Sequence, residues 1–409
     1  MPSSLSILDH FSALEDPRQH WRVIYPLPEI LLLVLCATLY GMDDFVEIRL
    51  WGDQRLSFLR RFLPYGRGLP AHDTLNDVIN ALDADLFKTC FTTWVESLRE
   101  AEPDLIAVDG KTFRRCHAKT KGRAALHTVS AWAAHQRLVL GQEAVADKSN
   151  EITAIPCLLD RLELRGALVT IDAMGTQTTI AETIVARGGD YLLALKANRP
   201  ATHHDVVRVF ADPGDVIVNT HETLDNDDGR LERRRASVCH DVSWLTSDRR
   251  YPNEPRMPHL AMIGMIQTQV ERAGRIEQER RYYLSSTRLD AKTFAAAVRA
   301  HWQIENRLHW VLDVVFHDDL VRLRTGSGPQ NMAAVRYMTI NLVRAPHDRH
   351  SLKARRKLAN LNPDDLAPWF ALDLKLGSVE EETDDEEEPV KRRADHRHHE
   401  GAAGRATGR

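Results

Sequence analysis

The chain has 409 residues, 43% of them apolar and 27% charged, an ordinary composition for a folded protein of two or three domains. A disulfide-stapled miniprotein, a fibre and a wholly disordered chain are excluded. The net charge of −4 argues against a polyanionic partner only until it is divided: Val379 to Arg409 holds ten acids and six Lys or Arg, which leaves Met1 to Ser378 formally neutral. Eight of the nine residues from Glu380 to Glu388 are acidic and little after them is apolar, so 376–409 is expected to be a disordered charged tail. The longest apolar run, Ile30 to Tyr40, is about half of the roughly 20 residues that a bilayer span needs. It also lies behind Asp9, Glu15 and Asp16, unlike a signal peptide. A cytoplasmic protein without a membrane partner is expected. Cys36, Cys90, Cys116, Cys157 and Cys239 are odd in number, widely spread and without a CxxC, which indicates neither a disulfide framework nor a thiolate zinc site.

Residues 1–98 read as a small helical domain. Leu27 to Leu39 is apolar nearly all round, the mark of a core helix. After the turn-like GRGLPAHD, Leu75, Val78, Ile79 and Leu82 follow helical spacing, and Phe87, Phe91, Trp94 and Leu98 continue it. From Asp104 the pattern changes to short strands: Leu105 to Asp109, Leu126 to Trp132 and Leu138 to Val145. Ile152, Ile155, Leu158, Leu159 and Leu162 then mark a helix capped at Ser149 or Asn150. A strand (Ala167 to Asp172), a helix (Thr178 to Arg187), a strand (Tyr191 to Leu195) and, from Ala291, a long helical stretch complete the order β-β-β-α-β-α-β, gap, α. RNase H-like nucleases use that order. The gap from 199 to 290 is too long for a loop and contains β-rich pieces (Val216 to Thr220, Leu260 to Val270, Arg280 to Ser285), so it is expected to be a β-rich insertion before the last acidic helix. The predicted division is 1–98, a catalytic α/β domain over 99–345, a helical segment over 346–375 and the tail.

Asp109 ends one apolar strand, in IAVDGKT, and Asp172 ends another, in LVTIDAMGTQ. Strand ends are where sites collect in open sheets. Either acid alone reads as the start of a turn, Asp109 before Gly110 especially. In this element order, however, the two strands are neighbours and their carboxylates can share a divalent ion. The third acid is Glu305, in RAHWQIENRLHWVLDVVF, where His301, Glu305 and His309 form one polar stripe on an otherwise apolar helix. A buried ion pair to Arg299 or Arg307 is the competing reading of Glu305. Zinc held by His301, Glu305 and His309 is another, and it asks one ion to span about 12 Å of helical rise. Carboxylates alone suit hard cations such as Mg²⁺ or Mn²⁺, and two such ions roughly 3.5 to 4 Å apart serve in-line phosphodiester displacement. Lys111, Arg114, Arg115, Lys119, Lys121 and Arg123 crowd the thirteen residues after Asp109, as a polyanionic substrate requires; a solvated basic loop is the plainer alternative. Trp244, in the insertion, is weighed between stacking on a flipped base and burial in a β core.

The blocks VDGKT, KSNEITAIPCLL, TIDAMGTQ, DYLLALKAN and RAHWQIENRLHWVLDVVFHDD resemble those of bacterial DDE transposases of the ISAs type, the H-repeat-associated proteins of the IS-four supergroup. DHFSALEDPRQ, YPLPEILLLVLCATLYG and GLPAHDTLNDV resemble the helical domain preceding their catalytic core, so the resemblance runs from about Leu8 to Leu361. It implies that Asp109, Asp172 and Glu305 are a metal-binding DDE triad on an RNase H-like fold with two Mg²⁺ or Mn²⁺ ions, and that Lys111, Arg114, Arg115, Lys119, Lys196, His301 and Asn306 contact DNA. The supergroup's Tyr, Arg, Glu, Lys signature stands here as Val298, His301, Glu305 and Leu312. HWQIEN is this subgroup's form, so the phosphate-clamping roles of the Tyr and Lys are not carried over. Asp228 stands where a His is expected before GR. The implied activity is cleavage at the ends of an insertion sequence and strand transfer into target DNA by a dimer or larger oligomer in the bacterial cytoplasm, associated with the nucleoid when on DNA. The alternative is a domesticated or structure-specific nuclease without strand transfer. The recognised ends, the target preference, the transposition pathway and the tail's role are not written in the sequence.

Overall fold

The computed structural model describes residues 7–112, 127–145, 151–213, 216, 218–227, 230–246, 254–272, 275–318, 323, 325–344 and 349–362. All lie in the first of two units, Met1–Lys375 and Leu376–Arg409.

The amino-terminal part is helical: α1 (Ile7–His10), α2 (Leu27–Leu39), α3 (Phe45–Leu59), α4 (His72–Ala81) and α5 (Ala84–Leu98). Every residue of α2 except Pro28 is buried, as its unbroken apolar run dictates. The starts of α3 and α5 are fixed by side-chain caps, since Asp44 accepts from the Glu47 amide at 2.9 Å and Asp83 from the Leu86 amide at 2.8 Å. Each cap satisfies an amide that has no partner within its helix. Among the described residues no helix is long and apolar enough to cross a membrane.

The rest is a mixed α/β assembly around one nine-stranded sheet. Its strands are β1 (Leu105–Thr112), β2 (His127–Ala133), β3 (Leu138–Val145), β4 (Leu168–Ile171), β5 (Asp190–Leu195), β6 (Val218–Asp227), β7 (Arg230–Cys239), β8 (Met262–Arg272) and β9 (Arg275–Ser285). The order across the sheet is β3-β2-β1-β4-β5-β9-β8-β7-β6. Parallel pairing of β1 with β4 and of β4 with β5 demands crossovers, which α6 (Glu151–Leu159) and α7 (Thr178–Ala186) stand ready to make. At the β3 edge, Asn341 accepts from the Val139 amide at 2.9 Å and donates to its carbonyl at 3.0 Å, covering backbone groups that an edge would leave open.

The segment expected as an insertion begins with a helix, α8 (Pro200–Ala211), which the β-rich reading missed. It then forms the antiparallel meander β6 to β9, together with the short α9 (Ser243–Thr246). This meander continues the sheet, because β9 pairs with β5 from Leu192↔Ser285 to Leu195↔Tyr282. The strands run past β5: β9 is exposed from Arg275 to Arg280 and buried from Tyr282 to Ser285. Two wet faces leave no apolar alternation, so the sequence revealed only part of β6 and β9 and none of β7, whose run reads RLERRRASVC.

The carboxy-terminal helices are α10 (Ala291–His301), α11 (Trp310–Val314), α12 (Gly328–Arg344) and α13 (Leu352–Leu361). The predicted long helix from Ala291 is interrupted by a π-helical turn over Ile304–His309, a feature that often marks a functional site. The α12 helix is buried along most of its length, packed on α2, α4, α5 and β3. Of the predicted helical segment 346–375, α13 occupies Leu352–Leu361, with Ser351 as its cap; residues 363–375 and the predicted tail lie outside the described residues.

One buried side chain ties these parts together. The Arg356 guanidinium of α13 donates to the Thr38 carbonyl at 2.8 Å and the Leu39 carbonyl at 3.3 Å, at the end of α2, and to the Val315 carbonyl just past α11. It also lies over the Phe316 ring, 4.0 Å from its centre. Carbonyls at helix ends lack intrahelical donors, so one cation serves two helix termini. Arg356→Met, which keeps the volume and leaves those buried acceptors without it, is predicted to cost about 3 kcal/mol as measured by urea unfolding.

Candidate functional site

Three elements deliver three carboxylates to one cavity. Asp109 lies near the end of β1, Asp172 immediately follows β4, and Glu305 lies in the π-helical turn. Because β1 and β4 are parallel neighbours in register from Leu105↔Leu168 to Val108↔Ile171, Asp109 and Asp172 fall side by side at the same end of the two strands. All three line a cavity of ≈ 290 Å³, together with Lys196 from the end of β5, His301 from α10 and residues of β9.

Each acid is held differently. Asp172 turns back on its own chain, Oδ1 accepting from the Met174 amide at 3.0 Å and the Gly175 amide at 3.3 Å, so the turn reading and the site reading are both true of it. A Cβ on Gly175 would lie 2.4 Å from the Ile171 side chain, which is why this tight turn takes glycine. Asp109 is partly buried; its carboxyl is pushed up to about 7, first by burial and further by the carboxylates of Asp172, Glu305 and Glu151, against a hydrogen bond from the Gly110 amide. Glu305 is exposed. Arg299, one partner considered for it, instead pairs with Asp225 at 3.1 Å.

An ion pair pins the helix bearing Glu305 to β1, and a histidine of the same helix approaches Asp109. Lys111 is buried and paired with Asp313, and His309 Nδ1 lies 3.6 Å from Asp109 Oδ2. Burial lowers the His309 imidazole to about 3, so it is neutral at pH 7, and its Nε2 is buried without a hydrogen-bond partner. His301 Nδ1 is 2.9 Å from Thr170 Oγ1, and burial lowers it to about 4. The two histidines of the stripe thus engage separate elements, which does not favour a shared zinc ion. Among the described residues no three His, Cys, Asp or Glu side chains are gathered closely enough to hold an ion as they stand.

Of the residues expected at DNA, Lys196 and His301 line the cavity. Lys111 does not line it, and Asn306 is exposed outside it. Arg114, Arg115 and Lys119, like Lys121, Arg123, Cys116 and Asp228, lie outside the described residues. Trp244 sits half-buried in α9, outside the cavity lining, its indole donating to the Asp241 carbonyl at 3.0 Å, so the β core considered for it is not where it lies. Sequence reading missed the wall built by β9. There Arg281 pairs with Glu279 at 2.8 Å and lies over Trp302, 4.9 Å from the ring centre, beside Tyr282 and Tyr283. The run RRYY beside HW was the available signal, and it carries no meaning until β9 is known to pair with β5.

Acidic side chains from neighbouring strand ends and from a helix thus meet in a cavity edged with cations, within a mixed α/β fold. The chain matches the Transposase DDE domain over residues 100–342 and the DDE_Tnp_1-associated domain over residues 8–95. It is 37% identical over 381 residues to YncI of Escherichia coli O157:H7, whose name describes a transposase, covering 91% of this chain and 96% of that one. It is 35% identical over 340 residues to YhhI of Escherichia coli K12, named as H repeat-associated, covering 82% and 90%. A piggyBac transposase chain from a synaptic complex with hairpin DNA aligns with 88% of this chain and 77% of that chain at 10% identity and a TM-score of 0.39, too slight a likeness to bear on the fold. The chain belongs to the DDE transposase family, and its function is that of an insertion-sequence transposase.

The raised carboxyl of Asp109 gives a prediction for the metal-free protein. Folding raises its proton affinity, so its contribution to stability is full below about pH 4 and is lost as pH rises through about 7. Asp109→Asn removes that loss. Its stability to urea unfolding is predicted to exceed that of wild type by a margin that grows between about pH 4 and about pH 7, reaching on the order of 2 kcal/mol. A margin independent of pH, or a destabilised variant, would mean that Asp109 is a structural carboxylate.

Proposed function

We propose that Asp109, Asp172 and Glu305 are the catalytic triad, that they hold two Mg²⁺ or Mn²⁺ ions, and that the protein cleaves DNA at the ends of its element and joins the freed 3′ hydroxyl to target DNA. The carrying observation is the cavity itself: three acids from three elements line it, and two of them add to the burial that holds Asp109 towards its protonated form. The donors are carboxylate oxygens, which suit hard cations. Surplus negative charge that raises a proton affinity also favours a divalent ion, so the residues fit the group. Bound ions of this kind polarise an attacking oxygen and stabilise the leaving one.

The chain's own residues prepare that chemistry. The β1–β4 register aligns Asp109 with Asp172, and the Lys111–Asp313 ion pair holds the Glu305 segment against β1. Lys196 and Arg281 edge the cavity as phosphate partners. His301, uncharged at neutral pH, contributes a hydrogen-bonding edge rather than a charge. Asn306, exposed beside Glu305, completes the proposed DNA contacts near the site; Lys111, buried against Asp313, serves the fold there instead. Arg114, Arg115 and Lys119 supply further phosphate contacts from the segment after β1.

The strand order β3-β2-β1-β4-β5, with β2 alone reversed, supports an RNase H-like core. In this reading 1–98 is the associated helical domain, 99–345 the catalytic domain with 199–290 inserted, and 346–375 a helical segment. Two element ends must be held together, so a dimer or larger oligomer acts on double-stranded inverted repeats and target DNA, in the cytoplasm and at the nucleoid.

A supercoiled plasmid carrying the native element ends tests the reading. Asp109→Asn, Asp172→Asn and Glu305→Gln are each predicted to abolish cleavage while preserving folding and binding to end DNA, because phosphate contacts come from other residues. Cleavage requires Mg²⁺ or Mn²⁺ and stops with EDTA; activity in Zn²⁺ but not Mg²⁺ would transfer the site to His301, Glu305 and His309. In a separate assay, neutralising Arg114, Arg115 and Lys119 together is predicted to flatten the salt dependence of DNA binding by about 0.9 log-log units per lost phosphate contact. An unchanged slope would return them to a solvated loop.

A further inference from the structure

Gly110, between Asp109 and Lys111, is packed against two buried polar side chains that lie outside the cavity lining. A Cβ built on it would stand 2.5 Å from Glu151 Oε1 and 2.9 Å from His127 Nε2. His127, on β2, is the cross-strand partner of Thr112. Its Nε2 pairs with Glu151 at the start of α6, and its Nδ1 is 2.8 Å from Thr112 Oγ1. Side chains alternate along a strand, so this chain of contacts reaches β1 from the face opposite to the one Asp109 presents. A buried acid–imidazole pair is a poor way to gain stability, since well-packed apolar residues of similar volume often do as well or better. Its place, beneath the one residue of β1 that has no side chain and next to Asp109, suggests what it is for.

We infer that Glu151 and His127 are positioning residues for Asp109: bonded to each other and to Thr112, they seat against the α-carbon of Gly110 and fix the end of β1, so that the Asp109 carboxylate is held ready for its cation. Neither residue touches substrate in this account; both act through the backbone of Gly110. Gly110 on β1 and the Glu151–His127 pair are then two halves of one device, the glycine leaving the space that the glutamate and histidine fill. The inference rests on the metal-binding reading of Asp109.

The test is Mn²⁺ binding to the full chain by calorimetry, run beside plasmid cleavage and thermal melting. Glu151→Ala and His127→Ala are expected to melt cooperatively but to bind Mn²⁺ about tenfold more weakly or worse, with cleavage falling in parallel and partly recovering at high metal. Glu151→Gln, which keeps a hydrogen-bonding partner for His127, is expected to stay within about threefold of wild type, below the loss typical of removing such a support. Glu151→Met, which fills the space but offers His127 no carboxylate, guards against a variant that fails only from its cavity. If Glu151 merely fills space, Glu151→Met folds, binds Mn²⁺ and cleaves like wild type, and the inference is overturned. If it positions Asp109, Glu151→Met folds and stays impaired. An Asp109→Asn control separates the two readings. Equal Mn²⁺ binding by it and wild type removes the triad reading and this inference with it, whereas weaker binding by it alongside wild-type binding by Glu151→Ala removes only the positioning role.

Discussion

The burial of Asp109 among other carboxylates is the constraint on which the rest of the site depends. Carboxylates brought together in a partly dry cavity repel, and nothing in their own chemistry would keep them there. The fold supplies the restraint. A parallel β1–β4 pair fixes Asp109 beside Asp172, while Lys111–Asp313 fastens the helix that carries Glu305. Farther out, Arg356 ties the end of that helix to the end of α2, joining the amino-terminal helices to the Glu305 helix through buried hydrogen bonds. What a single strand end cannot hold is held by contacts from three directions, at a cost in stability that a functional site tolerates.

Much of this was legible in the chain. The strands carrying Asp109 and Asp172 announced themselves as apolar runs closed by an acid, and β3 falls where its β-rich run put it, at Leu138–Val145. The buried α2 followed from an apolar run without a polar face. These features are local: a pattern of two or 3.6 residues meets one buried surface and leaves its mark.

What stayed hidden was set by partners distant in sequence. The β7 strand, with three consecutive arginines, looks like anything but sheet, and its extended form is dictated by ten paired positions on each side. The cavity wall of Arg281 and Trp302 exists only because β9 pairs with β5 across some 90 intervening residues. The π-helical turn at Glu305 has no compositional signature, and Asp109-Gly110 reads as an ordinary Asp-Gly turn until it is found inside β1 with Glu151 and His127 beneath it. Long-range pairing, rather than local propensity, shaped the surroundings of the acids.

The chemistry of this site turns on whether the three carboxylates bind metal together. Crystals of the protein soaked in Mn²⁺ and measured at the manganese absorption edge locate the ion directly, without reference to cleavage. The account predicts anomalous density bounded by Asp109, Asp172 and Glu305 in wild-type protein and its loss in Asp109→Asn. Density at His301 or His309 without the two aspartates, or density unchanged by Asp109→Asn, would contradict it.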